Sequence, residues 1–251
     1  MEDSSPVSTP MVVGWKLSKD DISPDVDQRT YRSMVGSLLY IAASHPDIMH
    51  VVGMVGIFQS SPKQSHSVAV KRIFKYLKGT MTYGLSYPRN QSFQLIAYSY
   101  VDWANCVDER KSTSGGAFFL GDSLFAWMSK KQGSISLSTT EVEYIVVATC
   151  CTQVLWMIQT LADLDVKYSE PIPIHCDNTS AISISRNHVL HSKTKHISTK
   201  YHFMRDHVTN KVVQLNFIPS TEQTTNIFTK PLTKVHFEYL RQKLGVIASS
   251  S

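Results

Sequence analysis

The sequence predicts an α/β fold, a mixed five-stranded sheet with flanking helices preceded by a small all-helical segment. Three observations carry it. The apolar period changes from 3.6 to 2 after Tyr87-Pro88-Arg89-Asn90. Beyond that point the elements run strand, strand, strand, helix, strand, helix, strand, helix. Polar candidates fall at strand ends and helix turns, where open sheets converge on a crevice.

Residues 1–28, rich in Ser, Pro, Asp and Thr, read as an extended leader rather than a folded unit. From Thr30, the residues Tyr31, Met34, Val35, Leu38, Leu39 and Ala42 form one helical stripe. Pro46 suits the first position of a second helix marked by Ile48, Val51, Val52, Val55 and Phe58. A third helix opens on a Ser61/Gln64 capping box with Pro62 at N1, buries Val70, Ile73, Phe74 and Leu77, and stops at Gly79. Its other side carries Lys71, Arg72, Lys75 and Lys78, which is either a solvated face or a phosphate-tracking one.

Phe93, Leu95 and Ala97 then alternate on a strand; residues 115–120 and 123–128 make two more around the Gly121-Asp122 turn. A second capping box, Ser138 with Glu141, starts a helix that reaches about Leu164 with Tyr144, Ala148, Cys151, Leu155, Ile158 and Leu161 inside. A strand over 171–176 ends at Asp177-Asn178, helices follow over 179–185 and 194–208, and 211–219 is the last strand. A short helix near Thr221 and a final one from Lys234 to Leu244 complete the chain.

With 42% hydrophobic residues the chain can build real cores. A net charge of +5 suits a nucleic-acid partner without requiring one, since 25 basic residues face 20 acidic. The start of the chain lacks a basic stretch followed by an apolar core, and Ile48 to Phe58 is too short to span a bilayer. The expectation is a cytoplasmic or nuclear protein, not secreted and without a membrane partner. Cys106, Cys150, Cys151 and Cys176 show no C-x-x-C spacing and read as reduced core thiols. His188, His191, His196, His202 and His207 offer no i, i+4 pair, so zinc is not expected.

The element order brings together Tyr100 on the first strand of the sheet, Glu143 on the long helix, Asp177 after the fourth strand and Asn226 on a late helix. Glu141 and Glu143 lie about 200° apart around a helix, so only one faces the crevice. Glu141 is occupied as the capping-box residue, which leaves Glu143. Hydrolysis of phosphodiesters by two metal ions about 4 Å apart needs a cluster of carboxylates around them.

Several stretches carry a family resemblance: Pro6-Val7-Ser8-Thr9-Pro10-Met11, Tyr31 to Tyr40, Arg110-Lys111-Ser112-Thr113-Ser114-Gly115, Ser129-Lys130-Lys131-Gln132, Leu137 to Tyr144, Cys176-Asp177-Asn178, Lys195-His196-Ile197 and Ile227-Phe228-Thr229-Lys230-Pro231-Leu232. Through them the chain resembles the C-terminal part of the Pol polyprotein of copia-type LTR retrotransposons, the end of the reverse transcriptase plus the ribonuclease H domain. The resemblance implies a ribonuclease H-like fold over 91–232, a helical reverse-transcriptase segment (thumb or connection-like) over 29–90, and a C-terminal helix and tail over 233–251. It also implies four metal-binding carboxylates at Tyr100, Glu143, Asp177 and Asn226, of which only Glu143 and Asp177 remain acidic. The family's aspartate after Lys195-His196-Ile197 is Ser198 here, and its proline is His188. No Tyr-x-Asp-Asp is present, so no polymerase site is expected.

Asp102 does not replace the lost acid, because two residues along a strand carry its carboxylate about 6.6 Å further, three times a magnesium–oxygen bond of about 2.1 Å. The expected function is a degenerate, catalytically impaired ribonuclease H domain. It would still bind RNA/DNA hybrid or other nucleic acid through Lys71, Lys75, Lys78, Arg110, Lys111, Lys130 and Lys131. Magnesium or manganese on Glu143 and Asp177 would serve whatever activity remains. Two alternatives are an active two-metal hybrid endoribonuclease and an incompletely folded Pol fragment. In the second, Met34, Val35, Leu38, Val51 and Val55 lie bare for want of the upstream polymerase core.

Overall fold

The computed structural model describes residues 4–89, 92–103, 108, 111–133, 138–186 and 198–249. Cys106, Arg110, Leu137, His188, His191, Lys195, His196 and Ile197 lie outside them.

Three helices open the fold: α1 (Gln28–Ala42), α2 (Met49–Gly56), entered through a 3-10 turn at Pro46–Ile48, and α3 (Gln64–Gly79). Asp27 caps α1, its carboxylate accepting from Thr30 N at 2.8 Å, so the helix begins at Gln28, two residues before the expected start. The third helix also departs from the expected capping box. It begins at Gln64 with Lys63 as N-cap, and the His66 imidazole accepts from Lys63 N at 3.0 Å in the place a Ser61/Gln64 pair was expected to fill. Tyr76 of α3 is fully buried, while Phe74 and Leu77 are only partly so.

A five-stranded sheet follows: β2 (Leu95–Asp102), β3 (Thr113–Leu120), β4 (Ser123–Lys131), β5 (Ile172–Cys176) and β6 (Val213–Phe217). The order is β4-β3-β2-β5-β6, with β2, β3 and β4 antiparallel and β5 and β6 parallel to β2. The crossover from β4 to β5 is α4 (Thr139–Ala162); α5 (Thr179–Arg186) and α6 (Ser198–Thr209) connect β5 to β6. A 3-10 turn, Thr224–Phe228, and α7 (Lys234–Lys243) come last. The pattern did not predict the two short strands β1 (Tyr83–Leu85) and β7 (Val246–Ala248), which pair antiparallel. Three residues carry too little alternation to be read as strands.

Each face of the sheet has its own cover. In β2 the residues Leu95, Ala97, Ser99 and Val101 are buried on one face, beneath α4. Ile96, Tyr98 and Tyr100 occupy the other, where Ala117, Phe119, Ile227 and Phe228 join the core of the N-terminal helices. Met11 and Leu17 of the leader are buried in that same core, as are Phe237, Leu240, Leu244 and Val246. The leader is therefore extended but docked. Val35, Leu38, Val51 and Val55 are buried and Met34 packs against them, so the surface expected bare in an isolated fragment is covered by this chain's own sheet and C-terminal helix.

Helix α4 is covered twice, by the sheet and by α5 and α6, which shifts its buried stripe from the expected one. Cys150, Cys151, Val154, Met157 and Leu161 are buried, while Leu155 and Ile158 are partly so. By length and composition alone α4 could cross a membrane; here its apolar side chains form the second core. The described cysteines, Cys150, Cys151 and Cys176, are free and buried.

Candidate active site

Glycine pairing in β3 sets the architecture of the crevice. Gly115 stands opposite Tyr100, and a Cβ there would meet Thr229 Cγ2 at 2.7 Å and Thr225 O at 2.9 Å. The missing side chain lets the Thr224–Phe228 turn lie directly on the sheet. Gly116 faces the other way, where a Cβ would come within 3.2 Å of Cys150 Sγ, so α4 closes in as well. Buried Gln223 pins the turn by donating to Ser99 O at 2.9 Å, and Ser129 Oγ donates to Phe228 O at 2.6 Å.

These contacts gather the four sequence candidates at one end of the sheet. The β2/β5 register pairs Ala97 with Ile174 and Tyr98 with His175, and Asp177 lies close enough to Tyr100 for its charge to act on the phenol. Glu143, on α4, is buried; its Oε1 accepts from Val101 N at 3.2 Å. Ser138 Oγ caps α4 by accepting from Glu141 N at 3.2 Å, and of the two acids it is Glu143 that is buried against the sheet. One ligand atom from each of Glu143, Cys176 and Asp177 lies within 4.8 Å of the others. Ser220 then links the two remaining members: its hydroxyl donates to Asp177 Oδ2 at 2.5 Å, and its carbonyl accepts from Asn226 Nδ2 at 2.8 Å.

Burial, and then the nearby Asp177 charge, hold the Glu143 carboxyl well above the usual carboxylate range. Its Oε2 is buried without a partner among the described residues, as is Asn226 Oδ1. Burial pushes the Cys176 thiol up to about 12, so it stays neutral and is a poor partner for a hard cation. Tyr100 fills its position with a phenol whose pKa burial raises further. Lys230 Nζ donates to that hydroxyl at 2.9 Å and lies 4.7 Å from the ring centroid.

Where the family resemblance implies a metal-binding carboxylate, at position 100, a lysine ammonium holds a neutral oxygen. Such a donor set, with two acids, an amide and an ammonium, carries too little negative charge to fit a pair of divalent cations. β2 runs in regular register through Asp102, so that carboxylate remains one strand repeat beyond Tyr100.

Of the basic residues, Lys130 and Lys131 stand at the crevice end of the sheet, in register with Ser114 and Thr113, which pair with Val101 and Asp102. Lys111 precedes the same edge. Lys71 and Lys75 belong elsewhere, in a cleft on α3 with Trp15 and Arg72. Lys78 donates to Ser4 O at 3.0 Å, fastening the leader. Sequence reasoning missed Lys230, Ser220 and Gln223. Lys230 stood inside a recognised motif, but its contact with Tyr100 spans 130 positions and has no local signal.

No family model matches the chain. It is 36% identical over 98% of its length to the retrovirus-related Pol polyprotein from transposon RE2 of Arabidopsis thaliana, and 34% identical over 98% to that from transposon TNT 1-94 of Nicotiana tabacum. The matches span 17% and 19% of those two proteins. Among solved structures it is similar to a ribonuclease H1 isolated from compost, with a TM-score of 0.40 and 12% identity, covering 55% of this chain and 93% of that one. The mixed five-stranded sheet, in the order β4-β3-β2-β5-β6, and its flanking helices are the α/β fold class that the sequence predicts. The chain thus belongs to the family of copia-type retrovirus-related Pol polyproteins and corresponds to a segment of them.

Proposed function

We propose that this segment is a degenerate ribonuclease H-like module that holds RNA/DNA hybrid without cutting it efficiently. The contact between Lys230 and Tyr100 carries the reading. An ammonium fixed in the crevice opposes a dication by Coulomb repulsion, and a phenol and an amide contribute no compensating charge. Hydrolysis through paired metals needs four anionic ligands or close substitutes, and Glu143 and Asp177 supply two at most.

Binding does not depend on those ligands. A-form helices are held through backbone shape and 2′-hydroxyl contacts by basic and polar groups. Lys111, Lys130 and Lys131 beside the crevice offer this, with Lys71 and Lys75 on a second surface. Lys78 serves the leader instead. One observation favours residual, manganese-supported cleavage as a second reading: among the described residues, the oxygens Glu143 Oε2 and Asn226 Oδ1 are both unpartnered.

The test pairs binding with turnover. Fluorescence anisotropy on a labelled hybrid should show affinity falling with salt at a log–log slope of about −0.7 to −0.9 per phosphate contact. In the same tubes, with magnesium and then manganese, the unmodified protein should leave the hybrid intact while the Tyr100→Asp, Asn226→Asp double variant cuts it. Salt-independent binding, or strong cleavage by the unmodified chain that Glu143→Gln abolishes, would contradict the reading.

A further inference from the structure

Two surface features break the local rules of the elements that carry them. The first is a cleft of about 610 Å³ between the leader and α3. On its leader side Val12 to Trp15 form a turn, closed by Trp15 N donating to Val12 O at 3.3 Å, with Gly14 supplying the positive φ of 79° that such a turn requires. Turn tips favour short polar residues, yet Val12 and Val13 stand here, 45% and 53% exposed. On the α3 side Val68, also exposed, shares one helical stripe with Lys71, Arg72 and Lys75. No acid lines the cleft among the described residues, and neither Lys71 nor Lys75 is in a salt bridge among them.

The second feature is the C-terminal end of α4, where Asp163, Leu164 and Asp165 are all exposed, Leu164 by 70%. Asp165 N donates to Ala162 O at 3.0 Å and Val166 N to Leu161 O at 2.9 Å. That helix stop holds Asp165 at a φ of 63°, where glycine is the usual residue. A helix C-terminus also carries partial negative charge and favours cations. Two acids around a bare leucine are therefore poor choices for the helix end itself. Neither acid is in a salt bridge among the described residues. Residues that their own element disfavours are expected where a surface serves recognition.

We propose that Asp163, Leu164 and Asp165 of one copy of this chain dock in the α3 cleft of a second copy, Leu164 against the valines and the two carboxylates on Lys71 and Lys75. The spacing agrees: residues two apart lie at most about 7 Å from each other, and lysines four apart stand about 6 Å apart along a helix. Charge and apolar content together select this occupant. A phosphate backbone would meet the lysines and leave the valines bare, and a flat lipid surface cannot enter a concavity. The two features cannot meet within one chain, because α4 covers one face of the sheet and α3 packs in the core on the other. The contact is therefore heterologous, and copies join head to tail in a ring or an open chain. Association needs no nucleic acid; it covers Lys71 and Lys75 and leaves hybrid binding to Lys111, Lys130 and Lys131.

Sedimentation velocity on the full chain at low ionic strength should show a mass that rises with concentration and falls back as salt screens the pairs. The Lys71→Glu, Lys75→Glu variant and the Asp163→Lys, Asp165→Lys variant should each be monomeric, with circular dichroism matching the parent. Mixed in equal amounts they should associate again, since each then offers the other a complementary pair. Leu164→Ser should weaken association at least about tenfold, the scale of one buried aliphatic side chain. A parent that stays monomeric at about 1 mM, or a charge-reversed mixture that fails to associate, would overturn the proposal. So would a parent that stays monomeric yet binds labelled hybrid or phosphatidylserine vesicles through Lys71 and Lys75, because the cleft would then serve those partners. Hybrid affinity of the monomeric Asp163→Lys, Asp165→Lys variant reports separately on the nucleic-acid reading, so the two failures are distinguishable.

Discussion

At the scale of single residues, Glu143 and His50 make opposite statements about pH. The Glu143 carboxyl titrates well above its ordinary 4.5 in the folded chain, so the native state retains a proton that the unfolded state has released. Its contribution is favourable below that ordinary value and is lost as pH rises through the folded pKa. Glu143→Gln keeps the shape and removes the buried charge. It should stabilise the protein at neutral and alkaline pH by about 1–3 kcal/mol, read as a higher Tm that converges with the parent's in acid. His50 runs the other way. With its pKa lowered from 6.5 to about 4, stability is complete above 6.5 and falls as pH drops through that window, by on the order of 3 kcal/mol. His66 and His175 are also lowered by burial and add slope of the same sign, so the measurement is the difference between urea midpoints of the parent and His50→Leu across that range. A pH-independent difference would contradict the burial account of His50.

At the scale of elements, the site depends on how closely the Thr224–Phe228 turn lies on β3. Gly115→Ala must displace Thr225 O, a backbone atom at 2.9 Å, whereas Gly116→Ala meets mainly the flexible Met128 side chain at 3.0 Å. Gly115→Ala should therefore cost about 1–3 kcal/mol by denaturant titration and Gly116→Ala less. Equal costs would show that the turn is not seated by that glycine. The sequence displayed the elements flanking this contact because alternation in β2 and the Ser138 cap are local signals. It concealed the turn's seat and the true start of α3, where the His66 ring takes the role of a capping side chain without resembling one. Position 100 stood out in the sequence because it broke a recognised pattern. Its bond to Lys230 did not, since nothing near either residue announces the other.

Across the whole molecule, the N-terminal helices and the sheet share one core, and a buried triad ties the ends of the chain together. Tyr76 donates to Asp47, and Arg241 of α7 donates to the Tyr76 hydroxyl at 3.1 Å while packing 4.2 Å over the Tyr83 ring. Removing residues 1–90 would bare Ala117, Phe119, Ile227, Phe228, Phe237 and Leu240. The truncated chain should lose its cooperative transition and aggregate, judged by circular dichroism melting and sedimentation; a soluble, cooperatively folding 91–251 fragment would show that the two parts are independent. The expected boundaries at 28, 90 and 232 were drawn where the sequence pattern changes. Periodicity finds elements but does not report which of them share a core.

The central claim is that an incomplete clasp of acids, with Lys230 bound to Tyr100, cannot assemble a dinuclear centre. Electron paramagnetic resonance of a manganese titration addresses it most directly. The unmodified chain should give no exchange-coupled manganese pair at any ratio, and the Tyr100→Asp, Asn226→Asp variant should develop one. A coupled pair in the unmodified protein, lost on changing Glu143 or Asp177, would contradict the account.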